Sequence, residues 1–320
     1  GTTIATTRVG AGNTAKLAVG ILTAHNIHAS EFFGDENNNF NVGGAGSGQA
    51  GISSGACLNI SIGNKHTGQN LTSGNRNILM GQSTGCDMTS GDLNVAIGRN
   101  SLRHVTTGGS NVALGSKAGR GLITGSNNIY LGSSAGQANT AGFANIGIGY
   151  LTDWGGATGH CGRCNIFLGS QSANSNFFGG CKDSYVGNTF IGSYTANGAF
   201  LYCGSHLQKE NAKFGSNTIL GHRAGRFVGS AVGHLDVVDN LYLGSSSGTF
   251  NLGGRNVLLG SYANVRTGPN PIVGFGITAS VGNLNIGIGH SVCLAKRLGS
   301  RQLAIGHSDF QWIHGDSNYN

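Results

Sequence analysis

Apolar and polar positions alternate along this chain in a five-residue pattern that begins with Asn and ends with Gly. In the copy from Asn111 to Gly115, the three intervening residues are Val, Ala and Leu. The second and fourth residues lie two apart, so on a β-strand they point to one face and the third residue points to the other. The pattern predicts short strands whose second and fourth residues form a buried apolar stripe.

The pattern occurs fifteen times, starting at Asn39, Asn59, Asn77, Asn94, Asn111, Asn128, Asn145, Asn165, Asn188, Asn217, Asn240, Asn256, Asn270, Asn285 and Gln302. Many copies start 17 residues apart, and the spacing lengthens to between 20 and 29 residues from Asn145 to Asn240. The fourth position is Val, Ile, Leu or Met in every copy and is expected to form the structural repeat core. In mid-chain this predicted core consists of Ile97, Leu114, Leu131, Ile148, Leu168, Ile191, Leu220, Leu243, Leu259 and Ile288.

The residues that bound each predicted strand indicate turns, because both Asn and Gly tolerate positive φ. After the Gly, many copies continue with Ser, any residue, Ala and Gly, as at Ser116 to Gly119, which predicts a second short leg with a small inward residue. One such coil cannot bury its apolar stripe, whereas stacked coils can. The predicted fold class is therefore all-β, a repeat β-solenoid or parallel β-roll rod of about fifteen short coils.

Two other fold classes fit the sequence less well than the solenoid. A sandwich or barrel also has short strands at regular spacing, but it requires no internal motif. A helical fold conflicts with the 59 Gly residues, since each Gly costs about 1 kcal/mol relative to Ala inside a helix. The repeats divide the chain into a stem at 1–38, a regular rod at 39–149, a rod with long inserted loops at 150–239, a regular rod at 240–306 and an exit segment at 307–320.

Composition limits the function classes that this chain can serve. Only 10% of residues are charged, and the net charge of +7 comes without a Lys/Arg block, so nucleic acid is not an expected partner. No apolar run approaches the length of a membrane span. The first residues have no Met and no leader pattern, which indicates a fragment or a processed product.

Cys and His residues are common in disulfides and metal sites, but their number and spacing in this chain favour neither. Seven Cys is an odd number, which argues against a secreted disulfide framework and for assembly in a reducing compartment. Cys161 and Cys164 match half of a zinc knuckle, but no second pair accompanies them. His290 and His307 follow the motif Gly at the repeat period, which is better explained as a turn position than as a ligand set. We expect no metal and no other cofactor.

The repeats resemble those of two known families, the tail-fibre shafts of tailed phages, especially marine cyanophages, and the heads of trimeric autotransporter adhesins. The phage match is the closer one. Residues 111 to 136 read Asn-Val-Ala-Leu-Gly-Ser-Lys-Ala-Gly-Arg-Gly-Leu-Ile-Thr-Gly-Ser-Asn-Asn-Ile-Tyr-Leu-Gly-Ser-Ser-Ala-Gly, which is similar to the phage unit. Residues 20–35 resemble the stem of such fibres, and residues 312–317 resemble the step out of the repeats.

The resemblance implies an intertwined parallel homotrimer in a virion tail fibre, assembled in the host cytoplasm, with other fibre or baseplate proteins as virion partners. A bacterial cell surface is the alternative location if the chain is an adhesin head. The implied role is structural and adhesive: the fibre extends from the particle and presents loops to a host glycan or outer-membrane protein. Periodicity alone does not give three chains.

The long spacings between residues 150 and 239 predict loops that project from the rod and carry the receptor site. Aromatic rings with a polar rim suit sugars and protein surfaces. The candidates are Trp154, His160, Phe177, Phe178, Tyr185, Tyr194, Tyr202, His206 and Phe227. The alternative for each aromatic is a place in a small satellite core that stiffens the fibre.

An enzyme of a related architecture is the second functional hypothesis. Trimeric tailspikes that cleave polysaccharide need pairs of acidic residues a few ångströms apart. The chain has only 12 Asp and Glu, and the best pair is Asp236 and Asp239 near His234, in a stretch that reads equally well as a loop. We therefore expect no enzymatic activity and no catalytic residue.

Overall fold

The computed structural model describes residues 39–43, 55–63, 66–153, 162–174, 177–178, 185–197, 200–201, 214–226, 229–230, 237–249, 253–264, 282–292, 294, 299–308 and 310–315. Contacts divide the chain into two units, Gly1–Phe32 and Phe33–Asn320. All of the described residues belong to the second unit. The predicted stem at 1–38 lies outside them.

The described residues form twenty-one short strands and no helix. The strands are β1 Phe40–Gly43, β2 Ile60–Gly63, β3 Ile78–Met80, β4 Val95–Ile97, β5 Val112–Leu114, β6 Ile129–Leu131, β7 Ile146–Ile148, β8 Ile166–Leu168, β9 Phe177–Phe178, β10 Tyr185–Val186, β11 Thr189–Ile191, β12 Phe200–Leu201, β13 Phe214–Gly215, β14 Thr218–Leu220, β15 Gly229–Ser230, β16 Val237–Val238, β17 Leu241–Leu243, β18 Val257–Leu259, β19 Ile286–Ile288, β20 Leu303–His307 and β21 Phe310–Gly315.

One sheet of fifteen strands runs through the repeats, in the order β1-β2-β3-β4-β5-β6-β7-β8-β11-β14-β17-β18-β19-β20-β21. The pairs from β1 to β20 are parallel and keep one register, so that Val112 lies beside Ile129 and Leu114 beside Leu131. Each connection therefore brings the chain back to start a new strand beside the previous one, in the same direction and one coil further along the stack. The predicted all-β repeat architecture of stacked coils is confirmed at this level.

The sheet passes directly from the motif copy at Asn256 to the copy at Asn285. β18 pairs with β19, and the side chain of Asn256 accepts a hydrogen bond from the backbone N–H of Asn285. The predicted copy that begins at Asn270 lies outside the described residues.

From the second motif copy onward, the face of each described motif strand that is buried in the chain is the opposite of the predicted one. The third residue points into the coil: Ala113, Tyr130, Phe167 and Leu258, for example, are fully buried. The predicted repeat core at the fourth position is wrong for the single chain, because its members point outward and are half-buried or exposed. These members are Ile97, Leu114, Leu131, Ile148, Leu168, Ile191, Leu220, Leu243, Leu259 and Ile288.

The size of the inward third residue varies from coil to coil. Ala113 and Gly147 flank Tyr130, which is fully buried. Two large residues also occur in succession, at Phe167 and Phe190, whose rings lie 5.5 Å apart between centroids in a tilted arrangement. Neighbouring coils thus share one close-packed interior.

The motif Asn residues form a buried hydrogen-bonded ladder. The Oδ1 of Asn111 accepts from the backbone N–H and the Nδ2 of Asn128, at 3.0 Å in both cases, and Asn128 does the same for Asn145. Each Nδ2 also donates to a backbone carbonyl of the next coil, as Asn128 does to Gly142 at 2.8 Å. The ladder continues along the repeats to Gln302. Asn is required here as an inward amide and not as a turn residue.

The turns use the residues on either side of the motif. The residue before the Asn has positive φ in coil after coil, including Leu93, Ser110 and Asn127. The motif Gly has φ near +130°, and at Gly115 a Cβ would lie 2.6 Å from the carbonyl oxygen of Gly132. Gly is therefore required at this corner by both conformation and space. The small inward residue of the second leg is confirmed at Ala118, which is fully buried.

The long coils add two small parallel sheets to the stack. One has the order β15-β12-β9 and the other the order β10-β13-β16. At the far end of the repeats, β21 pairs antiparallel with β20, with a register shift between Ile305 and Gly306. β21 therefore covers the edge that β20 would otherwise expose, and belongs to the predicted exit segment at 307–320.

Candidate functional site

Two apolar rows run along the outward face of the fifteen-stranded sheet, one from the second and one from the fourth motif position. We call them the outer rows. Val42 is 47% exposed, Ile97 39% and Ile129 36%. β8, β11 and β14 keep the same register as their neighbours, so the fourth-position row passes through them without a break, whereas Thr189 and Thr218 interrupt the second-position row. A continuous apolar surface of this kind is typical of a protein interface.

The inserted segments begin and end in register. β9, β12 and β15 pair with one another on one side, and β10, β13 and β16 pair on the other. In three consecutive coils, the chain thus passes from a strand of one small sheet to a strand of the other through the segments 179–184, 202–213 and 231–236, which lie outside the described residues.

The structure places four of the nine predicted receptor residues on described backbone. Phe177 and Phe178 form β9, where they pair with Phe200 and Leu201, and Tyr185 opens β10 beside Phe214. The side chain of Tyr194 is described in full. The others lie outside the described residues, namely Trp154, His160, Tyr202, His206 and Phe227.

Tyr194 lies in a small polar and aromatic patch. Its ring is 37% exposed, and the edge of the His222 ring lies 6.2 Å from it between centroids. The guanidinium carbon of Arg223 lies 5.9 Å from the ring centroid, within range of a cation–π interaction. Gln171 donates to the Tyr194 hydroxyl at 3.4 Å. The four side chains come from three consecutive coils and present hydrogen-bonding groups beside an aromatic face.

A buried polar cluster lies inside the coil that precedes the insertions. Asn139 donates to the hydroxyl of Tyr130 at 2.9 Å and to the carboxyl of Asp153 at 3.2 Å, and Tyr130 lies 3.5 Å from the same carboxyl oxygen. Burial raises the pKa of Asp153 to about 7, against the lowering effect of these two hydrogen bonds. Burial and the nearby carboxyl raise the pKa of Tyr130 well above its usual range.

Candidates for catalysis and for a metal are not assembled in the part of the chain that the structure describes. Asp239 is exposed and forms an ion pair with Arg255 at 3.7 Å, while Asp236 and His234 lie outside the described residues. No group of three His, Cys, Asp or Glu with metal-binding proximity occurs among the described side chains. His290 and His307 stack with a centroid distance of 5.1 Å, as their position after the motif Gly predicts.

Comparisons with known proteins identify no relative: no family model, no curated protein and no solved structure matches this chain. Across the ranges that the structure covers, no helix is long and apolar enough to span a membrane.

The outer rows are a candidate contact surface that the sequence pattern alone does not reveal. The apolar second and fourth positions are expected from the pattern to lie inside the coil, whereas they lie on its outer face. A usable signal was present at the third position, where a large residue such as Tyr130 stands between the small residues Ala113 and Gly147. Alternation of large and small residues is typical of a narrow packed interior, whereas a uniform row of medium apolar residues suits a repeated contact.

Proposed function

We propose that this chain is a shaft segment of a homotrimeric tail fibre that extends from a phage virion and presents loops to the host surface. The observation that carries the proposal is the pair of outer rows. They are apolar in coil after coil and exposed in the single chain, so they fit a surface that two further copies of the same chain cover.

The size of the outer rows favours a permanent assembly. Complete burial of a Val, Leu or Ile side chain contributes roughly 1.5–3 kcal/mol. Covering the exposed third of one row residue therefore contributes about 0.5–1 kcal/mol. Summed over the rows of one chain, this is comparable to or larger than the roughly 4–15 kcal/mol that association costs in lost freedom. The number three comes from the resemblance to trimeric fibres, in which parallel chains share one axis.

Repetition of the contact also supports a fibre. Nearly every coil adds a pair of apolar residues about 4.8 Å further along the stack, and the coils with Thr189 and Thr218 add one, so an interface built from them grows with the number of coils. Such a design gives length without a large globular core, which is what a spacer between a particle and a cell requires.

The adhesive part of the proposal rests on the insertions. Three consecutive coils carry an inserted segment between strands of the same two small sheets, and loops held by a rigid scaffold are common binding sites. The proposed partners are a host glycan or outer-membrane protein on one side and other virion proteins on the other.

Incubation of the purified protein with candidate host cells tests this role. Saturable adsorption, without shortening of the extracted surface glycans, is the expected result. Glycan chains that become shorter with time would support a polysaccharide-cleaving tailspike instead. A protein that adsorbs to no cell of the panel would contradict the adhesive role.

A further inference from the structure

In twelve of the described coils, the two residues that follow the motif Gly form a row of corners, which we call the corner row; most of them are exposed or half-buried, and Ser83 and Ser134 are buried. Its members are Gln82–Ser83, Arg99–Asn100, Ser116–Lys117, Ser133–Ser134, Tyr150–Leu151, Ser170–Gln171, Ser193–Tyr194, His222–Arg223, Ser245–Ser246, Ser261–Tyr262, His290–Ser291 and His307–Ser308. The second residue of a pair donates its backbone N–H to the carbonyl of the first residue one coil earlier, as Tyr262 does to Ser245 at 2.8 Å. The row therefore advances by one hydrogen-bonded step per coil.

The composition of the corner row differs from that of the chain. Its 24 positions hold three of the eight Tyr and three of the eleven His, together with Arg99, Lys117 and Arg223. They hold no Asp and no Glu, although the chain has 12 of these residues. Along its described length the corner row thus combines aromatic rings, hydrogen-bond donors and positive charge, with no carboxylate to repel an anion.

The aromatic and basic members gather in two clusters. The first is the Tyr194 patch, with Tyr150 two coils earlier and 53% exposed. The second begins at Tyr262, which is 56% exposed and meets the ring of His290 edge-on at 6.0 Å, and continues to the stacked ring of His307. One coil separates the clusters, and it contributes only Ser245 and Ser246 to the row.

We propose that the corner row binds a linear acidic polysaccharide along the fibre axis, outside the inserted loops. Exposed Tyr rings offer flat apolar surfaces for sugar rings, and Arg and Lys donate charge-assisted hydrogen bonds to carboxylate or sulfate groups. A long row with a coil repeat of about 4.8 Å matches an extended polymer better than a compact ligand. The inference rests on the proposed adhesive function and names the class of receptor.

Charge density separates this ligand from nucleic acid. Three permanent cations are spread over twelve coils of the corner row. Double-stranded DNA carries one negative charge per about 1.7 Å of helix axis, and proteins that bind it neutralise many phosphates at once. The sparse charges and intervening aromatic rings of the corner row suit a polymer with fewer charges and more apolar surface.

Fluorescence anisotropy with labelled acidic oligosaccharides tests the proposal on the full-length assembled protein. The probes are oligogalacturonate, which carries carboxylates, and a sulfated galactan fragment, with a maltodextrin of matched length as the neutral control. We expect binding of at least one acidic probe, weakening with added salt, and much weaker binding of maltodextrin.

The variants replace corner residues with the residue that other coils already use. Tyr194→Ser combined with Arg223→Ser is expected to weaken acidic-probe binding by about tenfold, as the loss of an aromatic contact and a cation predicts. Ser134, Ser246 and Ser291 occupy the same turn position with positive φ, so these changes preserve the fold. Tyr262→Ser tests the second cluster in the same way.

Phe143→Ser is the matched control, because Phe143 is 46% exposed but lies on a different row. It is expected to leave probe affinity unchanged. Equal affinities for the corner variants and the wild type would overturn the proposal, as would maltodextrin binding as strong as acidic-probe binding. Binding of neither acidic probe, or displacement of the probe by duplex DNA at lower concentration than by unlabelled oligosaccharide, would also overturn it.

Host adsorption separates this inference from the broader function. If the corner variants still adsorb fully to host cells, the adhesive role stands and the corner row is not the receptor site. If the wild-type protein adsorbs to no cell yet binds the acidic probes, the corner row stands and the adhesive role fails.

Discussion

Removing one amide from the buried Asn ladder is the sharpest perturbation of the coil stack. Asn128→Leu keeps a side chain of similar size but leaves the backbone N–H of Asn145 without its acceptor and the carbonyl of Gly142 without its donor. An unpaired buried backbone group costs about 1–3 kcal/mol. The expected loss of unfolding free energy is therefore about 2–6 kcal/mol per chain.

Thermal unfolding followed by circular dichroism, together with amide hydrogen exchange, measures this loss. We expect a lower melting temperature and faster exchange concentrated in residues 111–149. Asn127→Ser is the matched control, since Asn127 is the exposed neighbour of Asn128 and Ser110 has the same positive-φ position one coil earlier. If the Leu variant melts within experimental error of the Ser control, the ladder does not hold the coils together.

Three further perturbations test other parts of the molecule. Leu131→Asp, on an outer row, is expected to yield folded monomers in light scattering, and a soluble trimer of this variant would refute the interface. Ala113→Asp, in the coil interior, is expected to unfold the chain, as measured by circular dichroism. Burial raises the pKa of Asp153 to about 7 from an ordinary 3.8, so the folded chain holds this proton more tightly than the unfolded chain. The free energy of unfolding should therefore fall by roughly 4 kcal/mol as the pH rises from about 4 to above 7. Asp153→Asn should remove that part of the pH dependence in melting experiments, and an unchanged profile would show that the carboxyl ionises freely. Shortening 202–213 to six residues, the length of 179–184 in the preceding coil, is expected to preserve the melting temperature and weaken host adsorption; unchanged adsorption would move the receptor site elsewhere.

The repeat could be predicted from the sequence because its period, its Gly corners and its small second-leg residues are each local signals. Gly115 and Ala118 occupy the predicted positions in the coil. Each of these signals can be read from the sequence of a coil and its repetition. They predict the coil and the direction in which coils stack without any knowledge of the contacts between coils.

The buried face could not be predicted in the same way, because the chain has two apolar surfaces and only one of them faces its own interior. Leu114 looks more like a core residue than Ala113, yet Leu114 is 37% exposed and Ala113 is fully buried. The interior of a coil is about one side chain wide and holds Ala, Gly or Tyr, depending on the third residues of the neighbouring coils. The row of fourth-position residues, which is uniformly apolar, faces away from this interior.

The role of the motif Asn could not be predicted from one copy of the motif. Asn is common in turns, so the sequence predicts a turn at this residue. In the structure the residue with positive φ is the preceding one, as at Ser110. An amide ladder depends on the amides of neighbouring coils, and no single copy of the motif reveals it. Likewise, the corner row becomes visible only when the coils are placed in register.

The central claim is that the outer rows are covered by further copies of this chain. The molar mass in solution, measured by light scattering on the wild-type protein, tests it most directly. The account predicts three times the chain mass of 32.5 kDa, persisting at low protein concentration. A monomer of 32.5 kDa that remains soluble with its outer rows uncovered would contradict the account.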